Sequence, residues 1–293
     1  MKTLGFIGTG GMGSGMAANL VKAGYKLVVT DLNRAQAKAL EAAGATFVDS
    51  PKAVAEASDI VLSMLPYNGA VIAVATGAGG LAEATRGAKV WIDFSSIDKA
   101  TIVAASDELA KTGWTVVDAS AGGVEEVAAA GQLAIWVSGS KELFDAYQDI
   151  FKPMAKSVLY VGELGNAKMV KNAMAMLAAV QHMALVEIGS WLKKGGLDDA
   201  TFQTILVNSQ QDSVATRRIM EVVVSRKYKP RKSWMPKDVG FGLDMARDME
   251  VPMPFVGLAQ QMFAIAQATG QDGYEATGIA CNVYDVLNGK KPG

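Results

Sequence analysis

Apolar runs and polar breaks follow two different periods along this chain. Leu4–Gly5–Phe6–Ile7 is a short apolar run stopped by Gly8, the pattern of a buried strand. Met16, Ala17, Leu20 and Val21 then recur at helical spacing until Gly24, and Leu27–Val28–Val29–Thr30 is a second strand ending in Asp31. An alanine-rich helix follows Asn33–Arg34–Ala35 and ends near Gly44, and Ala45–Thr46–Phe47 is a short strand. Ser50–Pro51 opens another helix, with serine as N-cap and proline as first helical residue. Ile60 to Leu65 is a buried strand stopped by Pro66, and Val90 to Phe94, Trp114 to Val117, Leu133 to Val137 and Val158 to Val161 supply further strands. Strands alternating with helices predict a doubly wound α/β sheet, whose ligands bind in the crevice at the carboxyl ends of the strands.

Near Gly162 the period changes. From Ala167 to about Lys193 the pattern is helical for about 27 residues without proline, and Gly195–Gly196 stops it. A helix of that length spans about 40 Å at its 1.5 Å rise. Helical patterns return over Asp198–Asn208, Ser213–Ser225, Lys237–Met249 and Pro254–Thr269, with no strand pattern among them. The expected organisation is a dinucleotide-binding domain over 1–163 and an all-helical substrate and oligomerisation domain over 164–293. The long helix joins them, with a cleft at its start.

Between the first strand and its helix lies Gly8–Thr9–Gly10–Gly11–Met12–Gly13, which reads G-x-G-x-x-G. Strand, glycine turn, helix, strand and acid in that order make a Rossmann-type fingerprint. Gly8 permits the tight turn, Gly10 lets the backbone approach a pyrophosphate, and Gly13 lets the helix lie close on the strand. The helix N-terminus offers free N–H groups to phosphates. Asp31 falls where a carboxylate accepts the ribose hydroxyls, which favours NAD because its charge repels a 2′-phosphate. Arg34 is placed to pair with such a phosphate and keeps NADP open.

Composition narrows the rest. The chain has 293 residues, half of them hydrophobic, and a net charge of −1, enough for a sizeable core and two domains. No basic stripe points to nucleic acid. No uninterrupted apolar run reaches the ~18 residues of a membrane span. The single cysteine, Cys281, forms no internal disulfide, and a cytoplasmic address follows as the expectation. Cys281 reads as a buried structural residue, as does the single histidine, His182, inside the long helix. No His, Cys, Asp and Glu cluster has metal spacing, so no metal is expected.

With histidine set aside, lysine is the next group able to move a proton beside a dinucleotide. Lys168 and Asn172, at i and i+4, share a face at the start of the long helix. A partly desolvated Lys168 beside a cationic nicotinamide would have its pKa lowered toward working pH, and Asn172 would orient the substrate. Lys171 is placed about 300° round the helix at ~100° per residue and reads as lying off that face. Ser95–Ser96 end a strand at the crevice, with one of them an alternative helix N-cap before Asp98–Lys99. Ala119–Ser120–Ala121–Gly122–Gly123 reads as a loop of small residues that lets backbone N–H groups approach an anionic group.

Taken together these motifs resemble the β-hydroxyacid dehydrogenase family, which includes 3-hydroxyisobutyrate dehydrogenase, tartronate semialdehyde reductase and their relatives. The resemblance covers nearly the whole chain. Gly5 to Gly13 matches the family's opening signature, and Met64–Leu65–Pro66 resembles its loop beneath the cofactor. Asp93–Phe94–Ser95–Ser96 resembles D-x-S-[ST] near the nicotinamide. Lys237–Asp238–Val239 resembles K-D-[LV], whose lysine contacts the cofactor. Lys168 to Asn172 resembles K-x-x-N-N, whose lysine is the general acid/base. The family's substrate loop, D-A-P-V-S-G-G-x-x-G-A-x-x-G-x-L, aligns from Asp118 to Leu133 and implies substrate contacts from Ser120, Gly122, Gly123, Lys168 and Asn172.

Two departures stand out. Gly122 replaces the loop serine and Val124 the second glycine. Lys171 replaces the first asparagine of the pair, and the segment before Lys168 is shorter than usual; in another register Lys171 is the base. The resemblance implies an NAD(P)-dependent dehydrogenase of a short 3-hydroxy acid, and cofactor contacts are expected at Gly8, Thr9, Gly10, Gly11, Met12, Gly13, Asp31, Leu65, Pro66, Ser96 and Lys237. The long helix and the apolar helical domain predict surface buried between chains, hence a homodimer or homotetramer. The altered loop leaves two alternatives: a cofactor-binding sensor without turnover, and an imine- or ketone-reducing relative.

Overall fold

A computed structural model describes residues 2–292 of the chain. It divides into two compact units, Met1–Lys171 and Asn172–Gly293. The first unit is built on eight strands: β1 (Thr3–Ile7), β2 (Lys26–Thr30), β3 (Thr46–Phe47), β4 (Ile60–Ser63), β5 (Val90–Asp93), β6 (Thr115–Gly122), β7 (Leu133–Ser138) and β8 (Ala155–Tyr160). Their order across the sheet is β3-β2-β1-β4-β5-β6-β7-β8. All neighbours pair in parallel except β6 and β7, which are antiparallel. The central strands read as nearly continuous apolar runs because both faces are covered. One face packs Phe6, Leu62, Ile92, Val117 and Ile135 into a core with Met16 and Leu20. The other packs Ile7, Val61 and Trp91 with Val71, Ile102 and Leu109.

The antiparallel pair corrects one expectation. Ala119 to Gly122 are not a loop but the second half of β6, paired residue for residue with β7 from Asp118↔Ser138 to Gly122↔Ala134. The small side chains suggested irregular backbone, yet the partner strand supplies a ladder that propensity does not record. The backbone of Ala119 to Gly122 is therefore held in the ladder with β7, and Gly123, at φ +148°, follows the end of the strand.

The long helix runs Asn166–Lys194, 29 residues, and crosses from the first unit into the second. It carries an 18-residue window of mean hydropathy 1.3, long and apolar enough by composition to cross a membrane. Here it serves as the spine of the second unit, with Ala179, Met183 and Val186 in that unit's core. Around it lie helices Asp199–Val207, Val214–Ser225, Met235–Asp248, Pro254–Ala268 and Ala276–Leu287. The last has no counterpart in the periodicity. Eight successive residues, Ala276 to Val283, are buried, and Thr277 and Gly278 give its start a low helix propensity.

Candidate active site

The glycine turn assembles as its spacing demands. Gly8 adopts φ +89°, and a side chain there would strike the Met64 carbonyl. A side chain on Gly13 would strike the Gly8 carbonyl, so the helix Gly11–Lys22 lies directly on the β1 turn. Gly10 caps that helix with no side-chain hydrogen bond, the first turn holds no acid of its own, and a Cβ on Gly10 would meet nothing within 4 Å. This open helix N-terminus fits a dinucleotide pyrophosphate. The Asp31 carboxylate is fixed from both sides: Thr9 N–H donates to Oδ2 at 2.7 Å and Asn33 N–H to Oδ1 at 2.8 Å. Arg34 pairs with Glu41 at 3.2 Å and lies over the Phe47 ring.

Where the C-terminal end of β5 meets the middle of β6 the chain builds something different. Lys168 Nζ is fully buried and donates to the Asp93 carbonyl at 2.9 Å, to Asp93 Oδ2 at 3.0 Å and to the Ala119 carbonyl at 2.8 Å. Asp118 Oδ1 lies 3.1 Å away, and both aspartates are fully buried. Each carboxylate is held at its other oxygen. Asp93 Oδ1 accepts from the Ser63 and Ser95 hydroxyls, both at 2.6 Å. Asp118 Oδ2 accepts from the Ser138 hydroxyl at 2.7 Å and from the N–H groups of Ala167 and Lys168 at 3.1 and 3.3 Å. Every one of these groups donates to a carboxylate, which fits two ionised aspartates around one ammonium.

Lys168 therefore differs from its expected role. Burial alone would lower its pKa, but Asp93 and Asp118 outweigh that and hold it above the ordinary lysine value. All three of its protons have buried acceptors, so the expected lowering of its pKa does not occur. Lys168 ties the end of β5 and the middle of β6 to the first turn of the long helix. Sequence spacing showed a lysine at a functional place but not the two aspartates, 75 and 50 residues away, that consume it.

The same network shapes the neighbouring loop. Ser95 Oγ accepts the Leu65 N–H at 2.9 Å, so Ser95 braces the Leu65–Pro66 turn from within. Neither serine caps the following helix: Asp98 does, accepting from Thr101 N–H at 2.7 Å. Ser96 is partly exposed beside it, and Pro66 is exposed.

Lys171 and Asn172 follow on the long helix. A separation of 300° is 60° in the other direction, so Lys168 and Lys171 are i, i+3 neighbours on one face. Lys171 is partly exposed where Lys168 and Asn172 are fully buried. In the second unit, Lys237 lies 3.5 Å from Asp238 and between the Trp234 and Phe241 rings.

Two residues that motif reading passed over stand at the sheet edge. Glu125, in the first turn of the helix Glu125–Ala129, lays its carboxylate on Gly11 at the open helix N-terminus. Trp136, opposite Ser120 on β7, leans over Gly122. Ser120 itself is fully buried and its hydroxyl has no hydrogen-bond partner among the described residues. A glycine pairing with a distant large or charged side chain was the available signal in both cases.

Elsewhere, the His182 ring bonds to the Ala178 carbonyl at 2.7 Å and burial lowers its pKa; Cys281 is buried and burial raises its thiol pKa. Among the described residues no group of three or more His, Cys, Asp or Glu is placed to hold a metal ion.

Comparison with known proteins agrees with this geometry. Residues 3–162 match the family described as the NAD binding domain of 6-phosphogluconate dehydrogenase. Residues 165–281 match the family described as NAD-binding of NADP-dependent 3-hydroxyisobutyrate dehydrogenase. The chain is 32% identical to 2-(hydroxymethyl)glutarate dehydrogenase of Eubacterium barkeri, over 98% of this chain and 96% of that one. It is 30% identical to 2-hydroxy-3-oxopropionate reductase of Escherichia coli, over 91% and 92% respectively. Among solved structures it is similar to Mycobacterium tuberculosis 3-hydroxyisobutyrate dehydrogenase with L-serine. That match has a TM-score of 0.87 and 25% identity, over 96% of this chain and 98% of the other.

Proposed function

The chain belongs to the β-hydroxyacid dehydrogenase family, and from that premise we propose that it interconverts a short 3-hydroxy acid and its semialdehyde with Lys171 as general acid/base. The observation that carries this reading is exposure: Lys168 is fully buried between Asp93 and Asp118, whereas Lys171, one turn on along the same helix face, is partly exposed. Bound NAD(P) supplies the hydride acceptor in oxidation and the donor in reduction. The Gly8–Gly13 turn would hold its pyrophosphate, Asp31 its ribose, and Leu65, Pro66 and Ser96 the turn beside it, with Lys237 a further cofactor contact. In oxidation Lys171 Nζ takes the hydroxyl proton as the carbinol C–H bond breaks; in reduction it returns that proton to the carbonyl oxygen. Asn172, fully buried four residues beyond Lys168, supports the substrate end of the same helix.

The family members named above are dehydrogenases and reductases, which does not favour a silent sensor. Incubating the protein with 3-hydroxyisobutyrate and either NAD⁺ or NADP⁺, and following nicotinamide reduction by absorbance, tests the reading. Turnover with one of the two cofactors supports it. Cofactor binding with no turnover across short 3-hydroxy acids and their semialdehydes contradicts it.

The assembly we propose is a symmetric dimer or a tetramer built from it. Met174, Leu177, Ile188 and Trp191 of the long helix are exposed, with Gln181 and Ala184 completing a 3-4 spacing along one stripe. Such a seam pairs with a second helix of the same kind. That use accounts for the helix's apolar window without a bilayer, in keeping with a cytoplasmic enzyme. Light scattering is expected to exceed the 30.7 kDa of one chain; a monomer at micromolar concentration contradicts the assembly.

A further inference from the structure

One face of the β6–β7 pair carries, in order toward the C-terminal end of β6, the cross-strand pairs Asp118/Ser138, Ser120/Trp136 and Gly122/Ala134. Directly paired residues share a face, and positions two apart share it as well. The first pair is occupied: Asp118 Oδ2 takes the N–H groups that open the long helix. The next two pairs lie outward of it. There the Trp136 ring leans along the diagonal, so that a Cβ on residue 122 would lie 2.6 Å from its Cη2 and 3.0 Å from its Cζ3. No real Cβ tolerates such contacts with a ring anchored on a strand. The indole has taken the volume that a side chain at 122 would fill. Beneath it Ser120 is sealed off, fully buried and unpartnered, while Trp136 itself remains partly exposed.

We infer that Trp136 is the specificity-determining residue of the site, giving the substrate a flat apolar wall that selects an apolar over a polar substituent at the carbon between the carboxylate and the carbinol. The inference rests on the proposed hydroxyacid reaction. Its geometric support is proximity. The Ser120/Trp136 pair is one step of about 7 Å along β6 from the Asp118 anchor. Lys171 is one turn, about 5 Å of helix, from the Lys168 amide held by that anchor. Lys168 Nζ itself reaches the Ala119 carbonyl at 2.8 Å, one residue before Ser120, so the Ser120/Trp136 pair borders the start of the long helix. A buried apolar wall supplies no partner for a hydroxyl, and a hydroxyl pressed against it loses its water.

The test uses two isosteric substrates. 3-Hydroxyisobutyrate carries a methyl group at that carbon, and glycerate carries a hydroxyl. The wild-type kcat/KM is expected to favour 3-hydroxyisobutyrate by about 10- to 100-fold, the range such a pocket gives between isosteres. Trp136→Ala is expected to shrink that ratio to within about threefold at unchanged cofactor affinity, measured by nicotinamide fluorescence. Gly122→Ser added to Trp136→Ala, where the hydroxyl now has room, is expected to tip the ratio toward glycerate. If Trp136→Ala does not fold, Trp136→Gln keeps much of the bulk, removes the apolar surface and serves the same purpose. A wild-type preference for glycerate, or a ratio unmoved in variants that bind cofactor, overturns the inference alone. No turnover of either substrate overturns the hydroxyacid reading and this inference with it.

Discussion

The sheet's C-terminal edge is built in two ways. At its β1–β2 end the chain leaves room: a Cβ on Gly10 would meet nothing within 4 Å, and the helix after it has no side-chain cap from its N-cap residue. At its β5–β6 end the chain satisfies its own charges, closing Asp93, Lys168 and Asp118 into one fully buried cluster. The first end is shaped around a ligand from outside. The second is already full and works by holding other parts still, from the Leu65 turn through Ser95 to the first turn of the long helix. A lysine near a cofactor site is not thereby a catalyst. Its use depends on whether its protons are spoken for.

The largest effect should come from breaking the closed end. Lys168→Met leaves two buried carboxylates facing each other without a cation, which costs about 3–5 kcal/mol. In a chain of this size thermal unfolding should come about 5–8 °C earlier, read by circular dichroism. Changing Asp93 and Asp118 to asparagine in the same variant should recover part of the loss. An unchanged melting temperature in Lys168→Met would mean the cluster holds nothing together. The pH dependence has a definite sign. Lys168's folded pKa is raised, so its contribution is fully present below the unfolded lysine value of about 10.4. It is lost only as pH rises through the higher folded value. Acid titration of Lys168 is therefore not expected to weaken the protein.

A smaller effect belongs to the open end. Asp31, held by the Thr9 and Asn33 amides, should make NAD preferred over NADP, and Asp31→Ala should narrow that preference about tenfold, about 1.4 kcal/mol. Comparing kcat/KM for the two cofactors checks it. A wild-type preference of tenfold for NADP would show that Arg34 outweighs Asp31.

The smallest concerns Glu125, whose carboxylate rests on Gly11 where the pyrophosphate is expected. Glu125→Gln should tighten cofactor binding by about two- to fivefold at low ionic strength, the worth of one charge at a helix N-terminus, and the gain should fade with salt. Calorimetric titration measures it. Weaker binding in Glu125→Gln would mean that the carboxylate helps to hold the cofactor.

The two ends also differ in how far they can be read from the chain alone. Gly8, Gly10, Gly13 and Asp31 act through backbone shape over about 25 residues, and each glycine's job follows from its position in the turn. The alternation of strand and helix was equally legible, and so was the long helix. Lys168 was not, because its meaning lies in Asp93 and Asp118, brought to it by strands far off in the chain. Ser120 and Gly122 were misread as loop because an antiparallel partner, β7, overrides the local impression of small residues. The final helix, Ala276–Leu287, was passed over because its start carries Thr277 and Gly278, residues of low helix propensity.

The proposed reaction gives the proton transfer to Lys171 and not to Lys168. The most direct test is the kcat of Lys171→Ala for 3-hydroxyisobutyrate oxidation, measured with cofactor affinity in parallel and with small primary amines added to the assay. The account predicts a fall of about 10²–10⁴ in kcat at nearly unchanged cofactor affinity, with partial recovery as amine concentration rises. Activity within about threefold of wild type in Lys171→Ala would contradict it.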